Sequence, residues 1–457
     1  MSAHLPPTLI PDGRARVWPW LLAVLVAGLA GQFLLVHNPG YFSHDELQWG
    51  YAAYQSRLAD LPWFGWTRVD EFQYRPLTFN LWLLLSRGLF DSPQLFHAVW
   101  VLLGTGNGLL LFRVMVRWGV SCRAAALGAV AFLLGPMAAH VHGWVGTLGD
   151  LLWLGALLAI CLLGLGGPSP PWTTAARAAL AAVLCTAALL AKEAAIVIAP
   201  LCGIAWLLSP TRRSWLPVAL ACTLPTLTYL ALRVGVIDAA SSGTAYEWSL
   251  ARIPVRWLEY HLYPFLPTTF EPLATLRASG GRLAAAAMLC LLAYALAFAA
   301  HWRLGVGLLL AGIAALGPVL LLGGSFAQYG YGFAAVASGV VTAAAHLLAP
   351  RRRAALAVAL LALVSTWHGV NVQRQIQAVG RVQSVFTPQL SALAAQDTQE
   401  PLRLRPPESE RWIFERLTTD VPGYRGVAYL RHPVLVGEGE TAGHDIAPDG
   451  NITPVAP

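Results

Sequence analysis

Three consecutive polar residues, His44-Asp45-Glu46, follow the first hydrophobic stretch of the chain. The stretch ends near Val36, and Asn38-Pro39-Gly40 is typical of a turn. Carboxylates at the end of a helix bundle, beside the aromatic Tyr41 and Phe42, are placed to meet a substrate in the lipid and another in water. The alternative is a solvated loop, and the rest of the sequence must distinguish the two.

A second candidate group is Lys192-Glu193, which interrupts an apolar stretch. Lys192 is the only lysine in the protein. A charge in the hydrocarbon costs roughly 2.5–3.5 kcal/mol on insertion scales, so such charges usually face the bundle interior and have a function. A compact ammonium suits a phosphate. The alternative is a helix-hairpin turn in which Lys192 reaches the headgroups.

Three further polar positions lie in or beside apolar stretches. Asp150 begins one of them and follows His140 and His142, which are too few for a recognisable metal site without further ligands. Arg233 ends another stretch on the predicted outer side. It would contact a phosphate or extend to the membrane interface.

Composition places the chain among polytopic membrane proteins. Of 457 residues, 56% are hydrophobic and 12% are charged, whereas charged residues make up about a quarter of soluble domains. The six cysteines lie within or beside hydrophobic stretches without metal-ligand spacing, so they indicate packing rather than disulfides. The net charge of +7 does not indicate nucleic-acid binding, because the basic residues lie in short loops between apolar stretches.

The hydrophobic stretches predict about eleven transmembrane helices. Arg14 and Arg16 precede the first, and later arginines fall in alternate short loops, which predicts a cytoplasmic N-terminus and an outer C-terminus. The predicted spans lie near residues 18–36, 95–116, 124–141, 146–165, 176–191, 194–208, 215–233, 283–301, 304–323, 331–349 and 354–370.

Two large outer loops, 37–94 and 234–282, interrupt this pattern, and both are predicted to carry interfacial helices. The segment from Pro76 to Phe90 is predicted as an amphipathic helix at the outer interface, because counting it as a span would break the arginine pattern. The aromatic residues of both loops indicate an interfacial belt, and a minority could stack on sugar rings. Residues 371–457 are predicted as a polar outer segment whose tail, from about residue 437, is disordered.

Four motifs resemble one family in the same order. They are the acidic pair Asp45-Glu46, Tyr74-Arg75-Pro76-Leu77, the stretch Trp144 to Leu152 and Leu189-Leu190-Ala191-Lys192-Glu193. Over residues 20–370 the chain resembles the polyprenyl-phosphate-sugar-dependent membrane glycosyltransferases of the GT-C fold. The likeness is greatest to the tetratricopeptide-type and protein O-mannosyltransferase branch, and more distant to lipid A aminoarabinose transferases.

Some family positions differ in this chain. His140 stands where the family has an acid, Leu148 stands where it has an arginine, and Tyr329 lies in a reduced form of its Glu-Arg-Tyr element. No tetratricopeptide array follows. These differences concern the donor sugar and the acceptor more than the type of reaction.

The resemblance implies an inverting transfer of a sugar from a polyprenyl phosphate to a hydroxyl of a protein, lipid or glycan acceptor. Asp45 would be the general base and Glu46 would orient it or the acceptor. Lys192 and Arg233 would contact the donor phosphate, and Arg75 would lie nearer the acceptor side. The other residues assigned to substrate binding are Asp150, Glu193, His44, His140 and Tyr329. A divalent metal is possible but not indicated, and the location would be the bacterial inner membrane.

Other classes of protein remain alternatives. A lipid-linked sugar transporter or flippase could use the same intramembrane charges, but no inverted repeat is visible in the sequence. An O-antigen-type polymerase or ligase is the nearest enzymatic alternative. Its key groups are expected in a late outer loop, whereas here the acidic pair follows the first span. A non-catalytic assembly subunit would not need Asp45.

Overall fold

The computed structural model describes residues 17–455 except 70, 72, 168–169, 242–246, 268–271, 350 and 397–399. Arg14 and Arg16, on which the predicted N-terminal orientation partly rests, lie outside these residues. The helices are α1 (Val17–Gly31), α2 (Phe33–Val36), α3 (His44–Gln55), α4 (Pro76–Leu89), α5 (Pro93–Arg117), α6 (Cys122–Leu133), α7 (Pro136–Gly143), α8 (Leu148–Gly164), α9 (Pro171–Ala191), α10 (Ile198–Leu208), α11 (Arg212–Ser241), α12 (Ile253–Leu262), α13 (Gly280–Ala300), α14 (Trp302–Leu316), α15 (Tyr331–Leu347), α16 (Arg352–Ala394) and α17 (Arg411–Thr418).

The predicted helical membrane bundle is confirmed. Within the described residues, eight helices are long and apolar enough to cross a membrane, and α6 and α7 form one further span bent by 59°. Two shorter apolar segments, Val17–Gly31 and Glu193–Leu208, coincide with the remaining predicted spans. Prolines in the first turn begin α4, α5, α7 and α9, where a missing N–H costs no helical hydrogen bond.

Buried polar side chains connect the centre of the bundle. The His142 Nδ1 lies 2.6 Å from the Gln32 Oε1, and its Nε2 lies 2.8 Å from the Tyr331 hydroxyl. Asn107 donates to the same hydroxyl at 3.3 Å. Because hydrocarbon offers no competing water, polar groups at this depth must satisfy one another. The network therefore joins α5, α7 and α15 to the turn after α1.

Two helices outside the spans lie in the predicted outer loops. The predicted amphipathic segment forms α4, a helix of 14 residues that packs on α3 and is too short for a span. In the second loop, α12 is held by Arg256, which donates to the Glu259 carboxylate at 2.7 Å and to the Leu322 carbonyl at 3.0 Å. Both loops thus carry a helix, as the sequence predicted.

The predicted end of the last span at residue 370 differs from the structure. Helix α16 has 43 residues and continues to Ala394 without interruption. Its outer half is polar on average, but Ile376, Val379, Val382, Phe386 and Leu390 are buried at helical spacing. This face packs against the C-terminal residues, so tertiary contacts rather than average hydropathy extend the helix.

The tail predicted to be disordered is folded. The strands are β1 (Leu402–Arg405), β2 (Gly423–Tyr424), β3 (Val427–Ala428), β4 (Pro433–Leu435), β5 (His444–Ile446) and β6 (Ile452–Pro454). They form a four-stranded sheet of order β4-β1-β5-β6 and a hairpin of β2 and β3. The tail has few large apolar side chains, but backbone pairing and the turn at Gly450, with φ 93°, order it.

Candidate active site

The acidic turn begins α3 with a capping box. The Ser43 side chain and the Glu46 side chain reciprocally satisfy backbone N–H groups at the helix start. The Glu46 Oε2 accepts from the Phe42 N–H at 2.5 Å and the Ser43 N–H at 2.8 Å. Its Oε1 accepts from the Val145 N–H at 2.8 Å. One carboxylate therefore joins α3 to the turn that precedes α8.

The position of Glu46 bears on its predicted role of orienting Asp45 or the acceptor. The residue is 1% exposed, and both of its oxygens accept backbone hydrogen bonds. Burial raises the pKa of Glu46 to about 8, and the amides of Ser43, Val145 and Phe42 restrain the rise. A side chain enclosed in this way is placed to hold the backbone that carries Asp45, which is one of the two orienting roles predicted for it.

Asp45 is the accessible member of the pair. Its side chain is 37% exposed and its Oδ1 lies 3.2 Å from the His44 Nε2. Consecutive positions on a helix point in different directions, so Glu46 faces the interior while Asp45 faces outward. The structure thus places two neighbouring acids in different surroundings, Glu46 buried and Asp45 partly exposed.

A cation from the C-terminal segment contacts the same turn. The Arg416 Nε, on α17, donates to the Phe42 carbonyl at 3.2 Å. Its guanidinium lies 4.0 Å from the centre of the Phe42 ring and 5.4 Å from that of Trp144. The predicted site residue His140 is buried at the edge of the same two rings. The sequence analysis missed Arg416, because nothing local marks an arginine so distant along the chain.

The predicted cations form a second group beside α4. Arg75, which precedes α4, donates through Nε to the Glu193 Oε2 at 2.6 Å, and its Nη2 contacts the other oxygen of the same carboxylate. This two-point arrangement is the strong form of an arginine–carboxylate pair. Glu193 therefore orients Arg75 at the end of the bundle that carries the acidic turn.

Lys192 forms a buried ion pair with Asp150. Its Nζ lies 2.5 Å from the Asp150 Oδ2, and the residue is 5% exposed. The Tyr329 ring centre lies 5.3 Å from the same ammonium. The predicted alternative of a lysine that reaches into the headgroups does not fit this burial. Asp150 also accepts from the Trp153 indole at 3.3 Å.

Arg233 lies against the first outer loop. Its two terminal nitrogens donate to the carbonyls of Val69 and Glu71, and its guanidinium lies 5.3 Å from the centre of the Tyr74 ring. Tyr74 precedes Arg75, so the loop connects the two arginines. Arg233 therefore lies near the predicted cluster, and its guanidinium also holds the backbone of the first outer loop.

Close backbone packing brings the parts of the cluster together. The Thr78 hydroxyl of α4 donates to the Ala191 carbonyl at 2.6 Å. A Cβ added to Gly149 would lie 2.9 Å from that carbonyl and 3.3 Å from the Lys192 Cβ. Glycine at this position therefore lets the start of α8 approach the end of α9 and places Asp150 beside Lys192.

His140 and His142 lie on the same short helix, α7, but have different neighbours. Within the described residues, no group of three or more His, Cys, Asp or Glu side chains is arranged to hold a metal ion. His142 bonds to Gln32 and Tyr331 in the bundle interior, whereas His140 packs on the rings near Arg416. The two side chains therefore contact different parts of the bundle.

The spans, the two outer helices and the acidic turn define an integral membrane protein with the GT-C fold. The chain is similar to a solved structure, that of ArnT from Cupriavidus metallidurans bound to undecaprenyl phosphate. The TM-score is 0.53 at 14% identity, and the match covers 92% of this chain and 86% of that chain. No protein-family model and no curated protein matches the chain. At this identity the likeness establishes the fold.

The buried position of Glu46 leads to a stability test. Glu46→Gln should lower the free energy of unfolding by about 1–3 kcal/mol, because an amide cannot accept at both ends and a buried N–H is left unsatisfied. The adjacent Asp45→Asn is the matched control and should change it by less than about 0.5 kcal/mol. Thermal unfolding in detergent measures both. Equal melting temperatures for the two variants would contradict the assignment.

Proposed function

We propose that the protein is a glycosyltransferase that moves one sugar from a polyprenyl phosphate to an acceptor hydroxyl at the outer face of the membrane, with inversion at the anomeric carbon. The GT-C fold supports this class of enzyme. ArnT in the similar structure holds undecaprenyl phosphate, which makes a lipid phosphate the leading candidate for the donor. We place the protein in the bacterial inner membrane with the site and the C-terminus outside.

The observation that carries the proposal is the separation of the acidic pair. Asp45 is exposed on a helix end that the buried Glu46 holds rigidly, as a general base requires. The acceptor oxygen would come within about 2.6–3.2 Å of the Asp45 carboxylate. As that oxygen bonds to the anomeric carbon, Asp45 takes its proton and the bond between the anomeric carbon and the phosphate oxygen breaks. His44 would orient Asp45.

The cation cluster would hold the donor phosphate. Arg75 is paired with Glu193 and Lys192 with Asp150, and Arg233 lies against Tyr74 in the loop that leads to Arg75. Preorganised cations stabilise negative charge that builds on a leaving group. Asp150 and Glu193 position the cations and do not react.

Aromatic groups would complete both sides of the site. Tyr329 lies against Lys192 on the donor side, whereas His140 and Phe42 lie beneath Arg416 on the acceptor side. The phosphate leaves as an anion, so one carboxylate acting on the acceptor is sufficient. The reaction as written needs no metal-dependent step. The protein, lipid or glycan that provides the hydroxyl remains to be identified by assay.

A direct assay tests the function. Purified protein in lipid vesicles is supplied with a panel of polyprenyl-phosphate sugars and candidate acceptors. Release of polyprenyl phosphate that depends on an acceptor would support the proposal. Movement of the intact lipid-linked sugar across the bilayer without release would instead support a transporter or flippase. Extension of a lipid-linked glycan chain would support a polymerase.

Asp45→Asn should reduce transfer by at least about 100-fold, because it removes the base and keeps the size of the side chain. Donor binding and melting temperature should stay near those of the wild type. Asp60→Asn, which alters another exposed aspartate of the same outer loop, is the matched control and should retain activity. Full activity of Asp45→Asn in the release assay would exclude the assigned role.

Lys192 requires a paired design. Lys192→Met alone leaves Asp150 buried without its cation, which costs about 3–5 kcal/mol and obscures any effect on the donor. The double variant Asp150→Asn/Lys192→Met removes both charges and should fold. Its kcat/KM for the donor should fall at least about tenfold if Lys192 contacts phosphate.

Lys192→Arg should recover part of this loss, because a planar fork replaces a point charge imperfectly. Wild-type donor kinetics in the folded double variant would show that the pair only stabilises the protein. The cations left for the phosphate would then be Arg75 and Arg233.

Arg416 is proposed as a positioning residue, since it holds the Phe42 carbonyl at the start of the helix that carries Asp45. Arg416→Gln should lower kcat about ten- to a hundredfold, because small displacements of a catalytic group have large effects, while the KM for the donor stays constant. Arg416→Lys should recover part of the rate.

The matched control is Arg411→Gln on the same helix, because Arg411 pairs with Glu415 and not with the acidic turn. A loss of rate that merely follows a lower melting temperature, or an equal loss in the control, would contradict the role of Arg416.

A further inference from the structure

An apolar cavity lies in the half of the bundle opposite the candidate site. Its volume is 240 Å³ and its walls come from α5, α8, α10, α14 and α15. Helix α8 begins with Asp150 at the site and ends near Leu165, which lines the cavity. Helix α10 follows Lys192 and ends beside Ser209, which also lines it. The cavity therefore reaches the far end of helices whose near ends form the cation cluster.

The lining is apolar along its length and basic at the rim. Leu111, Leu158 and Val336 are typical of the walls, whereas His301 and Arg303 lie at the far end. No acidic side chain among the described residues lines it. Among the described residues no acidic side chain pairs with Arg303, whose guanidinium lies 5.5 Å from the centre of the Trp302 ring. Pockets of this kind between membrane helices bind anionic lipid headgroups.

Two glycines show that the space is open. A Cβ added to Gly339 would meet nothing closer than 3.8 Å, and one added to Gly307 nothing closer than 3.4 Å. At the end of the cavity nearest the site the space closes, because a Cβ at Gly332, which also lines the cavity, would lie 2.2 Å from Trp153. An apolar cavity of about 150 Å³ already accommodates a benzene molecule, so this one can hold a length of acyl chain.

The donor's own chain is not the expected occupant. Trp153 is buried between the site and the cavity, where its indole donates to Asp150 and its ring packs against Gly332. A chain attached at Lys192 would have to displace this side chain to enter. The basic residues His301 and Arg303 line the other end of the cavity, at the start of α14.

We propose that this cavity is a binding site for an anionic phospholipid of the leaflet opposite the active site, with an acyl chain between α5, α8 and α14 and the phosphate at Arg303. The site is separate from the proposed transfer reaction and does not depend on it. An acyl chain in this position would replace the missing side-chain contacts across the helices and stabilise the bundle.

The test measures lipid retention and lipid-dependent stability. Purified protein in detergent is titrated with phosphatidylglycerol and, separately, with phosphatidylcholine that has the same acyl chains. Native mass spectrometry measures the bound lipid, and thermal unfolding measures the melting temperature. The wild type should bind phosphatidylglycerol more tightly and gain melting temperature, because a ligand that binds only the folded state stabilises it. Arg303→Gln should weaken phosphatidylglycerol binding about fivefold and leave phosphatidylcholine binding unchanged. Arg282→Gln, an exposed arginine at the start of α13, should have no effect.

Cavity-filling variants provide the second arm. Gly307→Leu and Gly339→Leu, made singly and together, should reduce retention of both lipids at least about tenfold and remove the lipid-dependent gain in melting temperature. The matched control is Gly203→Leu on α10, where an added Cβ meets nothing within 4 Å and the residue does not line the cavity. It should retain lipid.

Three results would overturn the proposal. The first is equal phosphatidylglycerol retention in the wild type and a folded leucine variant. The second is equal affinity of the wild type for the two phospholipids. The third is that polyprenyl phosphate displaces phosphatidylglycerol from the wild type and that the leucine variants no longer bind polyprenyl phosphate. This result would assign the cavity to the donor chain. Because lipid binding and sugar transfer are measured separately, failure of one leaves the other intact.

Discussion

The carboxylate of Glu46 accepts hydrogen bonds from three backbone N–H groups, and the geometry of the candidate site depends on this interaction. Two of the donors, Phe42 and Ser43, lie at the start of α3, and the third, Val145, lies in the turn before α8. A group so deeply buried is stable only when its acceptors are satisfied. The same contacts leave the side chain of the preceding residue, Asp45, directed away from the interior.

The cation cluster follows from a similar constraint on buried charge. Lys192 lies between apolar helices, where an unpaired ammonium would be costly, and Asp150 compensates it. Glu193, which directly follows Lys192, forms a second ion pair with Arg75. The two ion pairs therefore use adjacent residues of one turn. Glycine at position 149 permits the close approach of the helix ends. Stability and the proposed donor site therefore use the same side chains.

The C-terminal segment is part of this arrangement rather than an appendage. Helix α16 continues to Ala394, and the chain then folds back so that α17 contacts the residues at the start of α3. Gln48 donates to the Thr419 and Asp420 carbonyls, which adds contacts along the same helix. The acidic turn is thus held by Glu46 from within and by Arg416 from outside. The bundle carries its open apolar space at the opposite end, away from these constraints.

The apolar stretches determined the class of the protein, because a bilayer requires about 20 apolar residues for each helix and the hydropathy of a stretch is a local property. The amphipathic α4 and the polar candidates Asp45, Lys192 and Arg75 were likewise visible locally, as departures from that pattern. The pairing of Lys192 with Asp150 was not visible, because spacing along the chain does not report which helix ends meet.

Only the tertiary structure showed that Glu46 is buried whereas Asp45 is partly exposed, since the burial of Glu46 depends on Val145, which lies in a different part of the chain. It also extended α16 and ordered the tail, where the stabilising contacts are backbone pairs and a buried helix face that average polarity conceals. Arg416 entered the site for the same reason. Its partner Phe42 is 374 residues away, and a contact at that distance arises only when the fold closes.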